Sequence, residues 1–448
     1  MTRPYPISGF PERLPAQQMV EQRFVERIRT TYELHGFAPI ETRAAEPLSQ
    51  LLRKGGDTDK EIYVIKRLHA EDSEPTAATA ESDTLGLHFD LTVPFARYVL
   101  ENAGKLRFPF RRYQIQKAWR GERPQEGRYR EFLQADADVV DADELPFHYD
   151  VEMALVFAET LAALPIPPYE IRVNNRKVCE GFYRGLGIAD PMAAMRAIDK
   201  LLKIGPEKVA AMLIETAGAT DAQARACLAL AEISAEDSSF AERVRQLGVT
   251  DPMLDEGLDE LTQVIEATDE QVPGVVIADM KIARGLDYYT GTVYEAFLKG
   301  RQTLTIGSGG RYDNLASAGD VRYPGVGISI GVTRLLGVLP GDHRPTMSRP
   351  TPTCVLVALP NQDARGDCDR IAAQLRRRQI PTEVAPKPAK FGKQIQFADR
   401  RGIPYVWFPG NADEPDTVKD IRSGEQVEAD PSSWQPPPED RRPQITAG

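Results

Sequence analysis

The chain reads as a mixed α/β protein: a strand-rich core broken by a helical insert, followed by a small separate α/β domain. Three observations predict this. Alternation with a period of two recurs over Tyr113–Arg120, Phe132–Val140 and Gly325–Ile330. From about Arg176 to Thr268, alanine, leucine and charge take over at helical spacing. After a polar, Pro-rich stretch (Pro340–Pro352), a fresh strand–helix–strand–helix–strand order begins. With 448 residues, 42% hydrophobic and 27% charged, there is material for two or three domains with ample core.

The elements follow in order. Residues 16–35 form an amphipathic helix, with Pro15 at its start, Val20, Phe24, Ile28 and Tyr32 every four residues, and Gly36 as stop. Residues 37–41 read as a short strand, 69–84 as a mobile acidic, Ala/Thr-rich loop, Leu87–Thr92 as a strand and Pro94–Glu101 as the start of a helix. In the insert, helical spacing covers Met192–Leu202, Pro206–Ala217, Ala222–Ala231 and Met253–Ala267. Strands return at Val275–Ala283, Tyr289–Leu298, Thr303–Gly307 and Gly325–Ile330, and the stretch from Gly307 to Asp313 reads as a tight turn presenting Tyr312. The last domain has strands at Cys354–Leu359, Thr382–Val384 and Tyr405–Phe408, with helices at Ala364–Arg378 and Phe391–Arg401. The expected division is a core of 1–175 and 271–340, an insert of 176–270, a linker of 341–352, an α/β domain of 353–428 and a disordered tail of 429–448.

Several classes are excluded early. No apolar run nears the roughly 18 residues of a membrane span, and Met1–Leu14 lacks an apolar signal core. The four cysteines (Cys179, Cys227, Cys354, Cys368) form no CxxC pair, so neither a zinc cluster nor a disulfide framework is indicated. A reducing, cytoplasmic setting is expected. A net charge of −11 argues against indiscriminate coating of nucleic acid, yet leaves room for local basic patches.

One such patch is prominent. Between Leu106 and Arg130 lie eight Lys/Arg against two acids, Glu122 and Glu126, and an acidic strand follows. Side chains two apart share a face, so Phe132, Gln134, Asp136 and Asp138 point one way. Arginines followed by amides and carboxylates suit a polyphosphate held beside a small amino-bearing ligand; a solvated surface hairpin is the alternative. A second segment, Arg284-Gly285-Leu286-Asp287-Tyr288-Tyr289, sets an Arg and an Asp three apart beside paired tyrosines, as a polar pocket or as a surface turn with an ion pair. In a third, Gly325, Gly327, Ser329 and Gly331 share one face of a strand that leads to Arg334. That bare face admits a flat ligand such as adenine, or a closely packed helix.

In this order, Asp90-Leu91-Thr92-Val93-Pro94, Arg120-Gly121-Glu122-Arg123-Pro124-Gln125, the arginine–tyrosine segment 284–289, Gly309-Gly310-Arg311-Tyr312-Asp313 and the glycine strand ending in Arg334 closely resemble the histidyl-tRNA synthetase family. That is a family of class II aminoacyl-tRNA synthetases, and the resemblance runs from about Gly9 to Val427. It implies a class II antiparallel sheet flanked by helices, and a C-terminal anticodon-binding domain. The implied activity is that of a ligase, which activates L-histidine with ATP and transfers it to tRNA(His). Arg120, Arg284 and Arg334 would surround the triphosphate, with Mg²⁺ bound to ATP. Asp90, Thr92 and Gln134 would hold the α-amino group, Asp138 and Tyr289 the imidazole, and Tyr288 and Tyr312 would wall the pocket. Glu122, Gly325, Gly327 and Gly331 join the implied ATP site, and Arg123 and Gln125 face the tRNA acceptor end. A second basic cluster, Arg376–Arg378, Lys387, Lys390, Lys393, Arg400 and Arg401, matches the anticodon-binding side, and residues 16–41 match a homodimer segment. Departures are Arg43 in place of proline, Thr333 in place of an acid, and Asp138 where glutamate is common. A catalytically silent relative, the regulatory subunit of ATP phosphoribosyltransferase, would lack the C-terminal domain and degrade the Arg284 segment; neither is the case here.

Overall fold

The computed structural model describes residues 5–52, 60–67, 84–282, 288–301, 303–411 and 413–446. The expected loop at 69–84, apart from Thr84, and Arg284 with its neighbours 283–287 lie outside these residues. Contacts divide the chain into two units, Met1–Pro11 with Phe24–Pro340, and Glu12–Arg23 with Gly341–Gly448.

The first unit is built on a nine-stranded sheet. Its strands are β1 (Ala38–Pro39), β2 (Phe110–Trp119), β3 (Glu131–Val140), β4 (Tyr169–Asn175), β5 (Ser234–Ala235), β6 (Val276–Asp279), β7 (Thr292–Leu298), β8 (Thr305–Ala318) and β9 (Val321–Gly331). Their order is β1-β2-β3-β9-β8-β7-β4-β6-β5. The run from β2 to β4 is antiparallel throughout, while β1 pairs with β2 and β4 with β6 in parallel.

Register decides what this sheet does. Gln134, Asp136 and Asp138 of β3 stand opposite Gln116, Gln114 and Arg112 of β2, and opposite Gly331, Ser329 and Gly327 of β9. Paired residues share a face, so one face carries a continuous polar field. The other face presents Ala135, Ala137, Val139, Val326, Ile328 and Ile330, all nearly or fully buried. The helix Pro15–Leu34 contributes Ile28 and Tyr32 to the core; Tyr32 lies 5.9 Å from Tyr113 and donates to the Ala135 carbonyl at 3.2 Å. Phe157 of the helix His148–Ala162 packs against Gly307. Each such large side chain contributes about 1.5–3 kcal/mol by leaving water.

Two local expectations give way here. The stretch 307–313 is no turn but the middle of β8, the longest strand. Its alternation sends Tyr312 to the polar face and Arg311 to the other, where Arg311 binds the fully buried Asp150 at 2.6 and 3.0 Å. Glycine richness resembled a turn, but these glycines permit close packing of paired strands. The expected strand Leu87–Thr92 stops at Leu87, and a helix starts at Thr92. Asp90 accepts the Val93 N–H at 3.1 Å, which favours helix initiation over continued extension.

The insert is mostly helical, with helices Arg176–Gly185, Pro191–Ile198, Leu201–Ile204, Pro206–Ala217, Asp221–Ala231, Ser239–Arg245 and Pro252–Gln271, and it also supplies the edge strand β5. Its start signals are chemical: Asp190 caps Ala193 N–H, Thr220 and Gln223 form a reciprocal capping box, and Asp251 caps Met253 N–H. No helix among the described residues is long and apolar enough to cross a membrane.

The second unit carries a five-stranded sheet ordered Thr382–Val384, Val355–Val357, Tyr405–Phe408, Thr417–Asp420, Gln426–Glu428. Helices Arg365–Arg377 and Phe391–Arg401 accompany it. The tail, expected to be disordered, is structured. Trp434 packs edge-on to Tyr405 at 5.4 Å and Trp407 at 5.7 Å, and Asp440 accepts from Arg422 at 2.6 Å and Tyr405 at 2.7 Å. Ile445–Thr446 pairs with Thr346–Met347 inside the expected linker. Proline-rich composition signalled disorder, but one tryptophan and one aspartate with prepared partners outweigh it.

Candidate active site

The polar face of the sheet floors a cavity of about 640 Å³. Phe132, Gln134, Ser329, Gly331, Ser308 and Gly309 belong to its wall. On one side the β2–β3 connection brings Arg120, Glu122 and Arg128, and Arg334 follows β9 by three residues.

Arg120 is held in place. Its Nε donates to the Phe89 carbonyl at 3.0 Å, and its guanidinium lies 5.1 Å from the Phe132 ring centroid, a cation–π arrangement. Glu122 accepts from Arg128 at 2.9 Å. Glu61, also in the cavity wall, has its carboxyl pushed up by burial and by the adjacent Glu122, with which it shares a hydrogen bond. Arg334 lies against Gly127, where an added Cβ would come within 2.5 Å of Val338 and 3.3 Å of Arg334. The loop therefore approaches the helix Val332–Val338 at a distance only glycine allows. Thr333, the departure from an acid, is buried and accepts the Leu133 N–H at 2.9 Å, tying that helix to β3. The other departure also has partners: Arg43 pairs with Glu46 at 3.1 Å.

Of the residues expected to hold histidine, Gln134 and Tyr289 line the cavity. Gln134 Nε2 donates to Ser329 Oγ at 2.8 Å, and its Oε1 is buried with no protein partner. Asp90 is buried just before Thr92, the first residue of its helix. Tyr288 packs edge-on to Tyr289 at 4.6 Å and to Tyr312 at 6.2 Å. Arg123 and Gln125 are exposed in the β2–β3 connection.

Three expected ligand positions also have close protein neighbours. Asp138 is paired with Arg112 at 2.7 Å and accepts the Tyr312 hydroxyl at 2.7 Å. A Cβ on Gly327 would lie 2.1 Å from the Asp138 carboxylate, and one on Gly325 would lie 2.5 Å from the Tyr312 ring. Thus the bare face at Gly325 and Gly327 accommodates Asp138 and Tyr312. Gly331 alone of the three glycines belongs to the cavity wall.

Sequence reasoning missed the centre of the floor. Arg112 is completely buried, with its guanidinium 4.1 Å from the Phe95 ring centroid. Beside it lies Asp136, 2% exposed, whose carboxyl burial pushes up to about 7. Arg112 and Ser329 pull that value down, and Asp138 and Asp90 push it up. The folded protein therefore holds a proton that the unfolded chain gives up near 3.8, so this group's contribution falls as pH rises from 3.8 to about 7. Alternation of Arg112, Gln114 and Gln116 was the available signal. The insert was also missed as a contributor: Arg176, Met192, Arg196, Lys200 and Lys203 all line the cavity.

The basic cluster of the second unit is smaller than its residue count. Arg376 Nε donates to the Thr382 carbonyl, Arg378 to the Ser433 carbonyl, each at 2.8 Å, and Arg401 pairs with Glu383 at 2.8 Å. Lys387, Lys390, Lys393 and Arg400 are exposed.

Comparison with known proteins agrees along nearly the whole chain. The family described as histidyl-tRNA synthetase matches residues 9–335, and the anticodon binding domain matches 353–433. The chain is 57% identical to a histidine–tRNA ligase of Cutibacterium acnes over 99% of both chains, and 56% identical to one of Micrococcus luteus over 99% of both. Among solved structures, a histidyl-tRNA synthetase from Nostoc sp. PCC 7120 superposes with a TM-score of 0.81 at 34% identity, covering 96% of this chain and 97% of that one.

Proposed function

The chain belongs to the histidyl-tRNA synthetase family and is a histidine–tRNA ligase, and on that premise we propose how its residues divide the reaction. In the first step the histidine carboxylate attacks the α-phosphorus of ATP, forming an acyl–phosphate bond as the bond to pyrophosphate breaks. Little proton transfer is needed, so the task is to place fixed positive charge around a crowded phosphorus. Arg120 serves the carboxylate and α-phosphate, Arg284 the opposite side of that phosphate, and Arg334 the γ-phosphate. The single observation that supports this best is the wall of the cavity, where Arg120, Arg128 and Arg334 stand beside the polar floor.

Asp90, Thr92 and Gln134 receive the α-ammonium; the unpartnered Gln134 Oε1 is an acceptor suited to it. Tyr289 addresses the imidazole, and Tyr288 and Tyr312 back the pocket. Mg²⁺ bound with ATP would supply positive charge against the phosphates, and the adjoining carboxyls of Glu61 and Glu122 would be the hard oxygen donors to hold it. In the second step a terminal ribose hydroxyl of tRNA(His) attacks the acyl carbon and AMP leaves. Arg123 and Gln125 face the acceptor end from their exposed connection, and Arg196, Lys200 and Lys203 supply cationic groups from the insert.

Histidine-dependent exchange of pyrophosphate into ATP tests this reading; absence of exchange in the intact protein would discard it. The two steps also separate. Charge reversal at Lys390 and Lys393 is expected to lower kcat/KM for tRNA charging by about 10-fold, since counterion release is lost, while exchange is unchanged. Equal loss of both would place those lysines in the fold and not in RNA contact.

We assign the working form to a cytoplasmic homodimer, with residues 16–41 at its interface. Sedimentation should then give twice the 49.7 kDa of the chain; a single-chain mass at micromolar concentration would remove the dimer from the proposal.

A further inference from the structure

We propose that Arg301 is a positioning residue. With the two arms of one guanidinium it ties the tip of the β2–β3 connection to the helix Val332–Val338, and so sets the spacing of the groups that hold ATP. The inference rests on the division of the reaction proposed above, in which that connection and Arg334 flank the nucleotide.

The β2–β3 connection is anchored at its base but not at its tip. Arg120 N–H reaches the Arg130 carbonyl at 2.9 Å, Gly121 N–H the Glu61 carbonyl at 2.7 Å, and Arg130 N–H the Gly9 carbonyl at 2.7 Å. Farther out, Gln125 and Arg128 bond each other's backbone, which shapes the tip without fixing it to anything else. The tip then leans on the helix. A Cβ on Gly127 would come within 2.5 Å of Val338, and one on Gly337 within 2.4 Å of the Tyr129 hydroxyl. Close packing of this kind limits the distance between two surfaces but resists sliding weakly; a directional bond is needed to fix the register.

Arg301 supplies that bond. It lies in the turn between β7 and β8, where its N–H reaches the Leu298 carbonyl at 2.9 Å and its carbonyl accepts Leu304 N–H at 3.0 Å. From this fixed base Nη1 donates to the Val338 carbonyl, and Nη2 donates to Glu126 Oε1 at 2.8 Å. Val338 is the last residue of its helix, so its carbonyl has no partner within the helix. The planar fork holds both acceptors at one separation, which a flexible ammonium cannot do. Glu126 is 62% exposed, so the ion pair contributes under about 1 kcal/mol to folding. Its consequence is geometric. Arg334 belongs to the helix and Arg128 to the connection, and both line the cavity, whereas Arg301 stands outside its wall. A nucleotide held from two sides responds to a shift of about 1 Å between them.

Full-length wild type, Arg301→Ala, Arg301→Lys, Glu126→Ala, the Arg301→Ala/Glu126→Ala double variant and Arg334→Ala are compared by histidine-dependent pyrophosphate exchange and thermal unfolding. Arg301→Ala is expected to raise the KM for ATP about 3- to 10-fold. Its kcat and its KM for histidine should stay within about 2-fold, because Arg120 keeps its own hold on the Phe89 carbonyl. Glu126→Ala should raise the same KM and add nothing in the Arg301→Ala background, as expected of two groups acting through one contact. Arg301→Lys, with charge but no fork, should fall between Arg301→Ala and wild type. An ATP KM unmoved in Arg301→Ala while Arg334→Ala raises it overturns the proposal. So does a normal ATP KM in Glu126→Ala beside a raised one in Arg301→Ala, which would mean that Arg301 meets the substrate itself. A lowered Tm with both KM values raised also overturns it, as the mark of a general structural role. If Arg334→Ala leaves the ATP KM unmoved, the ATP site has been placed wrongly, and the inference falls with that reading.

Discussion

Arg120→Ala is expected to lower the kcat of histidine-dependent pyrophosphate exchange by roughly 10²–10³-fold, the usual cost of deleting one preorganised group that stabilises transition-state charge. Nothing adjacent substitutes for it. Arg128 is paired with Glu122, and Arg334 belongs to the helix after β9. The effect should fall on kcat more than on the KM for either substrate, because charge at the reacting phosphorus grows only as the bond to pyrophosphate opens. The fold should be unaffected, since Arg120 sits half-buried on a backbone carbonyl and a ring face, and the carboxylate it stabilises, Glu61, is only partly buried. A rate within about 3-fold of wild type would show that this guanidinium is not on the reacting phosphate.

Arg112→Met is expected to act on stability, by about 3–5 kcal/mol in urea unfolding, the cost of stranding one member of a buried ion pair. Arg112 has no exposed surface, and the carboxylates it opposes, Asp138 and Asp136, are 3% and 2% exposed. Methionine fills most of the volume and keeps contact with Phe95, so lost packing contributes little. Combining it with Asp138→Asn separates charge from shape: the double variant should recover part of the loss, since one stranded carboxylate has gone. Equal destabilisation in the single and double variants would assign the cost to packing alone.

The sequence was informative wherever a pattern is local. Alternation along β3 and β9 identified which side chains share a face, and the four-residue spacing of Phe24, Ile28 and Tyr32 identified a helix that buries all three. Caps such as Asp190 and Thr220 lie next to the helices they start. It was uninformative where two signals of equal local strength compete. The glycines of 307–310 read as a turn because turns and tightly paired strands ask for the same residue. The Pro-rich tail read as disorder because Trp434 meets Tyr405 and Trp407, which lie some thirty residues earlier.

The order of motifs from Asp90 to Arg334 carried the resemblance to the family, while each motif read alone left a surface hairpin, a surface turn or a packed helix open. Which carboxylate pairs with the buried guanidinium is a different kind of fact. It depends on register, since Arg112 opposes Asp138 across β2 and β3, and a slip of two residues would set it opposite Asp136 without changing either face. Electrostatic roles in a buried site follow from such pairings and from the loss of water around them, and both exist only once distant strands have met.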